Sequence, residues 1–169
     1  MVHKVYATAG SADIREGSVE LILWRHAEAV DGSPDHEREL TAKGVKQAQK
    51  MAAFLRQHLS GKQHRILVSP TARTRQTVAA LTDQFTLSPD IAPGASAQAL
   101  LRAAKWPEGS GTLLVVGHQP TLGEVAAQLL GSTDYSLTIK KGALWWFNSR
   151  EYEDSARVAL RLVITPDFL

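Results

Sequence analysis

The sequence predicts one α/β domain of three layers, in which a mostly parallel central sheet with an antiparallel edge carries helices on both faces. Three observations predict it. From Glu20 onward, short apolar runs alternate with stretches of helical periodicity, the pattern of layered α/β folds. Two of those runs, Ile66-Leu67-Val68 and Leu113-Leu114-Val115-Val116, are continuously apolar, as strands buried on both faces are. The chain has 169 residues with no linker, repeat or low-complexity tract, enough for one domain and too few for two ordinary ones.

Residues 1–19 lack the apolar run of roughly 7–15 residues that a secretory signal carries. They are read as a weakly ordered extension to a domain spanning 20–169. Leu21-Ile22-Leu23-Trp24 is the first strand, with Trp24 packed in the core. Thr41 then caps a helix whose stripe is Val45, Ala48, Ala52, Leu55 and Leu59, at spacings of three and four, and Gly61 stops it. Ile66–Val68 is a strand, and Ser69-Pro70 turns it into a helix over Thr71–Gln84. Phe85–Gly94, with Pro89 and Pro93, reads as loop, and Ser96 caps a short helix through Ala104. Leu113–Val116 is a strand followed by a helix over Thr121–Leu130, where Thr121 and Glu124 have capping-box spacing. Further strands are expected at Ser136–Ile139, Ala143–Phe147 and Arg157–Ile164. The last alternates Val158, Leu160, Leu162 and Ile164 against polar or small residues. Trp145 and Trp146 are adjacent, so one is expected inward and one outward.

Composition narrows the function. With 44% hydrophobic and 21% charged residues, the chain is that of an ordinary folded protein. A formal net charge of +2 gives little field for nucleic acid or an anionic membrane, and no partner of either kind is expected. No apolar run approaches the ~20 residues of a membrane span. Cysteine is absent, which excludes a thiolate nucleophile, a cysteine-ligated zinc and an iron–sulfur cluster, and fits the reducing cytoplasm.

In an open α/β sheet, ligands bind beyond the carboxyl ends of the strands. Arg25 and His26 follow the first strand, Arg73 lies just past the second, and His118 follows Leu113–Val116. Two guanidiniums fork onto phosphoryl oxygens, and nearby helix N-termini add positive field. One imidazole near neutral pH is nucleophilic, while a second, protonated, stabilises charge. Together these parts suit phosphoryl transfer through a phosphohistidine, with no metal and no cofactor.

The strings LILWRHAEA, ERELTAKG, SPTARTRQT and VVGHQPTLGEVAAQLL, in this order, resemble the histidine phosphatase superfamily, specifically its small SixA-type phosphohistidine phosphatases. The resemblance runs from about Glu20 to the C-terminus. It implies a phosphoglycerate-mutase-like fold with His26 as the nucleophile and Arg25, Arg73 and His118 holding the phosphoryl oxygens. Ala27 stands where many relatives have Gly. The implied substrate is phosphohistidine on a signalling or phosphotransfer protein. Some superfamily phosphatases carry an acid directly after the second histidine, whereas this chain has Gln119. An alkoxide leaving group needs a proton donor, while a protonated phosphohistidine expels neutral imidazole. The missing acid therefore favours phosphohistidine, and Glu28 is the best carboxylate available near His26.

Other residues carry two readings each. Arg38 either lines the pocket or pairs with Asp35, Glu37 or Glu39, and Ser69 either bonds near the phosphate or caps a helix. His3, His36, His58 and His64 are not expected at the site. Two alternatives to the protein phosphatase stand beside it. One is a phosphomonoesterase for small molecules, with Glu28 or a substrate group as acid. The other is a non-catalytic module binding phosphate or phosphoproteins, for which a nucleophile would be superfluous.

Overall fold

Alternation along the strands divides the core in two. In the computed structural model, which describes residues 18–132, 134, 136–152 and 155–169, strand β1 (Val19–Arg25) sends Leu21 and Leu23 to one face and Ile22 and Trp24 to the other. Residues 1–17 of the expected extension lie outside the described residues.

The remaining strands are β2 (His64–Val68), β3 (Thr86–Leu87), β4 (Gly111–Gly117), β5 (Leu144–Tyr152) and β6 (Ser155–Ile164), and the helices are α1 (Ala42–Leu59), α2 (Ala72–Ala79), α3 (Ala97–Ala104) and α4 (Thr121–Leu129). One sheet of order β3-β2-β4-β1-β5-β6 joins the strands. The first four run parallel, and β5 and β6 form the antiparallel edge. Met51, Ala52, Leu55 and Leu59 of α1 and Val78 of α2 pack on Ile22, Trp24, Leu114 and Val116. Leu100 of α3 and Leu122, Val125 and Ala126 of α4 pack on Leu21, Leu23, Leu113 and Val115. The expected three layers are thus present.

Hydroxyl caps start three helices. Thr41, Thr71 and Ser96 accept from the amides of Gly44, Thr74 and Ala99. Gly61 follows α1 at φ +71°, a left-handed conformation suited to glycine.

Several expectations are corrected. Val45 is exposed and Met51 takes its place in the α1 stripe. Helix α2 stops at Ala79, and the supposed loop after it contains β3, which extends the parallel sheet beyond β2. The Thr121–Glu124 capping box is absent, because Thr121 Oγ1 donates instead to the Ala95 carbonyl at 2.6 Å. Residues 136–140 are irregular rather than a strand. A bulge between Trp146 and Phe147 breaks the β6 stripe, pairing Leu160 with Phe147 and Leu162 with Trp146 on opposite faces. Val158 and Leu160 are consequently exposed, while Leu162 and Ile164 pack inward. The tryptophan pair splits across the sheet, yet neither side stands free: Trp146 is buried and Trp145 half-buried. Trp24 is fully buried and its indole donates to the Gly142 carbonyl.

Candidate active site

Parallel register brings the sequence-distant residues together. Arg25 pairs with Gly117 across β1 and β4, and Val68 with Val116 across β2 and β4. The ladder continues one rung beyond the strands, with the His26 amide donating to the Gly117 carbonyl and the Ser69 amide to the Val116 carbonyl, both at 3.1 Å. The carboxyl ends of β1, β2 and β4 therefore present His26, Ser69 and His118 side by side, and α2 adds Arg73.

The two imidazoles are buried, at 7% and 4% exposure, with ring centroids 5.2 Å apart and planes tilted by 57°. His26 Nδ1 lies 2.7 Å from the Ala27 carbonyl. A carbonyl only accepts, so Nδ1 carries the hydrogen and a neutral ring keeps its lone pair on Nε2. His118 Nε2 lies 2.7 Å from Ser69 Oγ. The helix cap after β2 is Thr71, which frees the Ser69 hydroxyl for this bond.

Burial depresses both histidines, and the neighbouring guanidiniums add to it. His26 is lowered to about 4, with Arg73, Arg25 and Arg38 repelling its charged form. His118 is lowered to about 3, chiefly by burial, then by His26 and Arg73, against a smaller opposing pull from Asp35. Both rings are thus neutral at pH 7, which corrects the expectation of a standing protonated partner.

Three buried nitrogens at this place, Arg25 Nε, Arg73 Nε and His118 Nδ1, have no hydrogen-bond partner among the described residues. Buried polar groups are nearly always paired. Two guanidinium N–H groups converging beside a histidine suit a tetrahedral oxyanion. Each guanidinium is anchored at its far end. Arg25 Nη1 donates to the Ile139 carbonyl at 2.8 Å. Arg73 donates from Nη1 to the Asp35 carbonyl and from Nη2 to its carboxylate, at 2.7 and 2.9 Å.

The remaining candidates stand at the rim. Arg38 pairs with Asp35 and Asp31 rather than Glu37 or Glu39, and its Nε donates to the Val30 carbonyl. Glu28 accepts from the Thr41 hydroxyl at 3.0 Å and lies 3.4 Å from Lys43. These contacts, the hydroxyl first, hold its carboxyl below the usual range, and a carboxylate so held is a poor proton donor at neutral pH. His36 and His64 are exposed, and His58 stacks on Phe54.

Two contributions go beyond what the sequence indicates, the hold of Asp35 on Arg73 and the bonds of Thr77. Asp35, held ionised by Arg38 and Arg73, clamps Arg73 from a short 3-10 turn at Asp35–Glu37. Thr77, fully buried, donates to the Arg73 carbonyl and accepts from the Ala27 amide, fixing the turn after His26. Its spacing of four from Arg73 on an amphipathic helix was the available signal.

Residues 21–100 match the family described as the histidine phosphatase superfamily (branch 1). A Haemophilus influenzae protein named as a phosphohistidine phosphatase SixA homolog is 33% identical in an alignment 153 positions long that covers 79% of this chain and 92% of that one. Among solved structures, the candidate SixA phosphohistidine phosphatase of Nakamurella multipartitia is 28% identical with a TM-score of 0.72, covering 89% of this chain and 98% of that one. The protein histidine phosphatase SixA complexed with tungstate superposes with a TM-score of 0.71 at 22% identity, covering 88% and 98%.

Proposed function

This chain belongs to the histidine phosphatase superfamily, and from that membership we propose that it is a cytoplasmic phosphohistidine phosphatase acting on a histidine-phosphorylated signalling or phosphotransfer protein. One observation carries the chemistry: His26, with Nδ1 tied to the Ala27 carbonyl, keeps Nε2 as its lone-pair nitrogen among donors that have no acceptor among the described residues.

His26 Nε2 attacks phosphorus in line, and the bond from phosphorus to the substrate's imidazole nitrogen breaks as the new P–N bond forms. Arg25, Arg73 and His118 hold the equatorial oxygens. A phosphoryl dianion beside His118 opposes the burial and the guanidinium repulsion that keep the ring neutral, so His118 takes up a proton as substrate binds. Water then attacks the phosphorus of phospho-His26, releasing inorganic phosphate and restoring the nucleophile.

Substrate class is supported by the state of the rim. Glu28 and Asp35 are both held ionised, and the Gln119 amide is occupied by backbone groups. None is poised to protonate an alkoxide, whereas imidazole protonated in the substrate leaves without help. The names of the Haemophilus relative and of the SixA structures point the same way.

The test is release of phosphate from a radiolabelled phosphohistidine protein by wild type and by His26→Ala, with an acid-labile phosphoenzyme sought by rapid quench. Wild-type release, lost in the variant, is expected. Turnover of small phosphomonoesters alone would overturn the substrate, and inertness toward both would favour a binding module.

A further inference from the structure

Gln119 follows His118 directly, but its side chain serves a different segment. Its Nε2 donates to the Leu137 carbonyl at 2.7 Å, and its Oε1 accepts from the Ile139 amide at 3.3 Å. One planar amide thus closes two backbone groups of residues 137–139, which have no strand ladder of their own. The carbonyl of that same Ile139 takes Arg25 Nη1. Space for the arrangement comes from α4. A Cβ at Gly123 would lie 1.7 Å from the Leu137 oxygen and 2.4 Å from Gln119 Nε2.

We infer that Gln119 is a positioning residue: its amide fixes residues 137–139 so that the Ile139 carbonyl aims the Arg25 guanidinium at the phosphoryl site. Arginine has many rotamers, and a single acceptor orients it only if that acceptor is itself immobile. Ordinarily a neighbouring strand would immobilise a backbone carbonyl; here the side-chain amide does. The position also requires an amide rather than an acid. A carboxylate can accept from the Ile139 amide, yet it has no hydrogen for the Leu137 carbonyl and would face it oxygen to oxygen. An acid at residue 119 is therefore not a proton donor for this chain but a broken splint.

The catalytic consequence rests on the phosphatase reading; the geometric one does not. The experiment compares Gln119→Ala and Gln119→Glu, each alone and combined with Arg25→Ala, after thermal melts establish which variants fold. Binding of inorganic phosphate and kcat/KM on a phosphohistidine protein are measured, together with the ¹⁵N resonance of Arg25 Nε. With Arg25 present, phosphate binding and kcat/KM should each fall about tenfold, and in the Arg25→Ala background less than about twofold. The Arg25 Nε signal should shift or broaden in both single variants. Equal losses in the two backgrounds would mean a merely structural role and overturn the inference, as would gain of phosphomonoesterase activity in Gln119→Glu. Should wild type neither bind phosphate nor turn over, the phosphatase reading fails while the Nε resonance still decides positioning: an unchanged signal in the variants refutes it. If the residue 119 variants do not fold, Gly123→Ala perturbs the Leu137 carbonyl from the helix side, and the same signal and the same cycle with Arg25→Ala apply.

Discussion

Acidification should destabilise this protein through the two buried histidines of the candidate site, His26 and His118. In the unfolded chain each titrates near its ordinary value of about 6.5, whereas in the fold His26 stays neutral to about 4 and His118 to about 3. As pH falls through about 6.5, the unfolded state therefore binds protons that the native state refuses, and stability drops until the folded rings also protonate. At pH 5 an unfolded histidine is about 97% protonated, so each ring costs about 2 kcal/mol, against a few tenths at pH 7. The pair should thus remove about 3–4 kcal/mol between pH 7 and pH 5, a large part of a typical ~5–15 kcal/mol stability. Urea unfolding at both pH values measures it, for wild type, His26→Asn and His118→Asn. Each variant should lose about 2 kcal/mol less than wild type on acidification, since one proton-linked penalty is gone. Glu28 and Asp35 have lowered carboxyl values, so their own losses begin nearer pH 4.5 and are shared by all three proteins. Parallel losses in wild type and both variants would refute the claim that burial and the guanidiniums keep these rings neutral.

Three substitutions test other links of the argument. Ser69→Ala removes the hydroxyl 2.7 Å from His118 Nε2 and should lower kcat about tenfold with little change in melting temperature, measured on a phosphohistidine protein. Glu28→Gln should change kcat/KM less than about threefold, because its carboxylate serves Thr41 and Lys43; a fall beyond about a hundredfold would make it the general acid after all. Gly44→Ala gains up to ~1 kcal/mol of helix propensity, yet its Cβ would sit 1.9 Å from the Glu28 carbonyl oxygen, so chemical unfolding should show a net loss of about 2 kcal/mol or more.

The sequence was most informative where one local rule decides the outcome. Buried parallel strands announce themselves as continuous apolar runs, and Leu113–Val116 is β4 in all but its ends. The ends of those strands then locate Arg25, His26, Arg73 and His118 without any knowledge of side-chain rotamers. Failures came where distant groups compete for a residue. Thr121 has the spacing of a cap, but the Ala95 carbonyl from the preceding loop takes its hydroxyl. Ser136–Ile139 has the composition of a strand, but its backbone groups are claimed by Gln119 and Arg25. The β6 stripe alternates correctly, but one bulge reverses the faces of Val158 and Leu160. Asp35 was visible only as a partner for Arg38, because nothing local in a polar loop says that it will also reach a buried arginine on α2.

The electrostatics of the site follow from this division of labour. Arg25 and Arg73 supply standing positive charge, partly offset by Asp35 at the far end of Arg73. Because both imidazoles are neutral, no proton would have to leave His26 before the attack proposed for it. Its lone pair is ready at pH 7, which a histidine at the ordinary value of about 6.5 achieves only in part. His118 is set the opposite task. It is the more strongly lowered of the pair, chiefly by burial, and lies beside donors that have no partner among the described residues, so a bound dianion would offset both the burial and the guanidinium repulsion. Binding and protonation are then linked: sulfate, which stays a dianion throughout this range and brings no proton of its own, should bind at pH 7 with proton uptake, and its affinity should rise as pH falls toward 6. Calorimetry in buffers of different ionisation enthalpy reads the uptake directly. An enthalpy independent of buffer would mean that His118 remains neutral in the complex and holds the anion's oxygens with a single N–H rather than a positive charge.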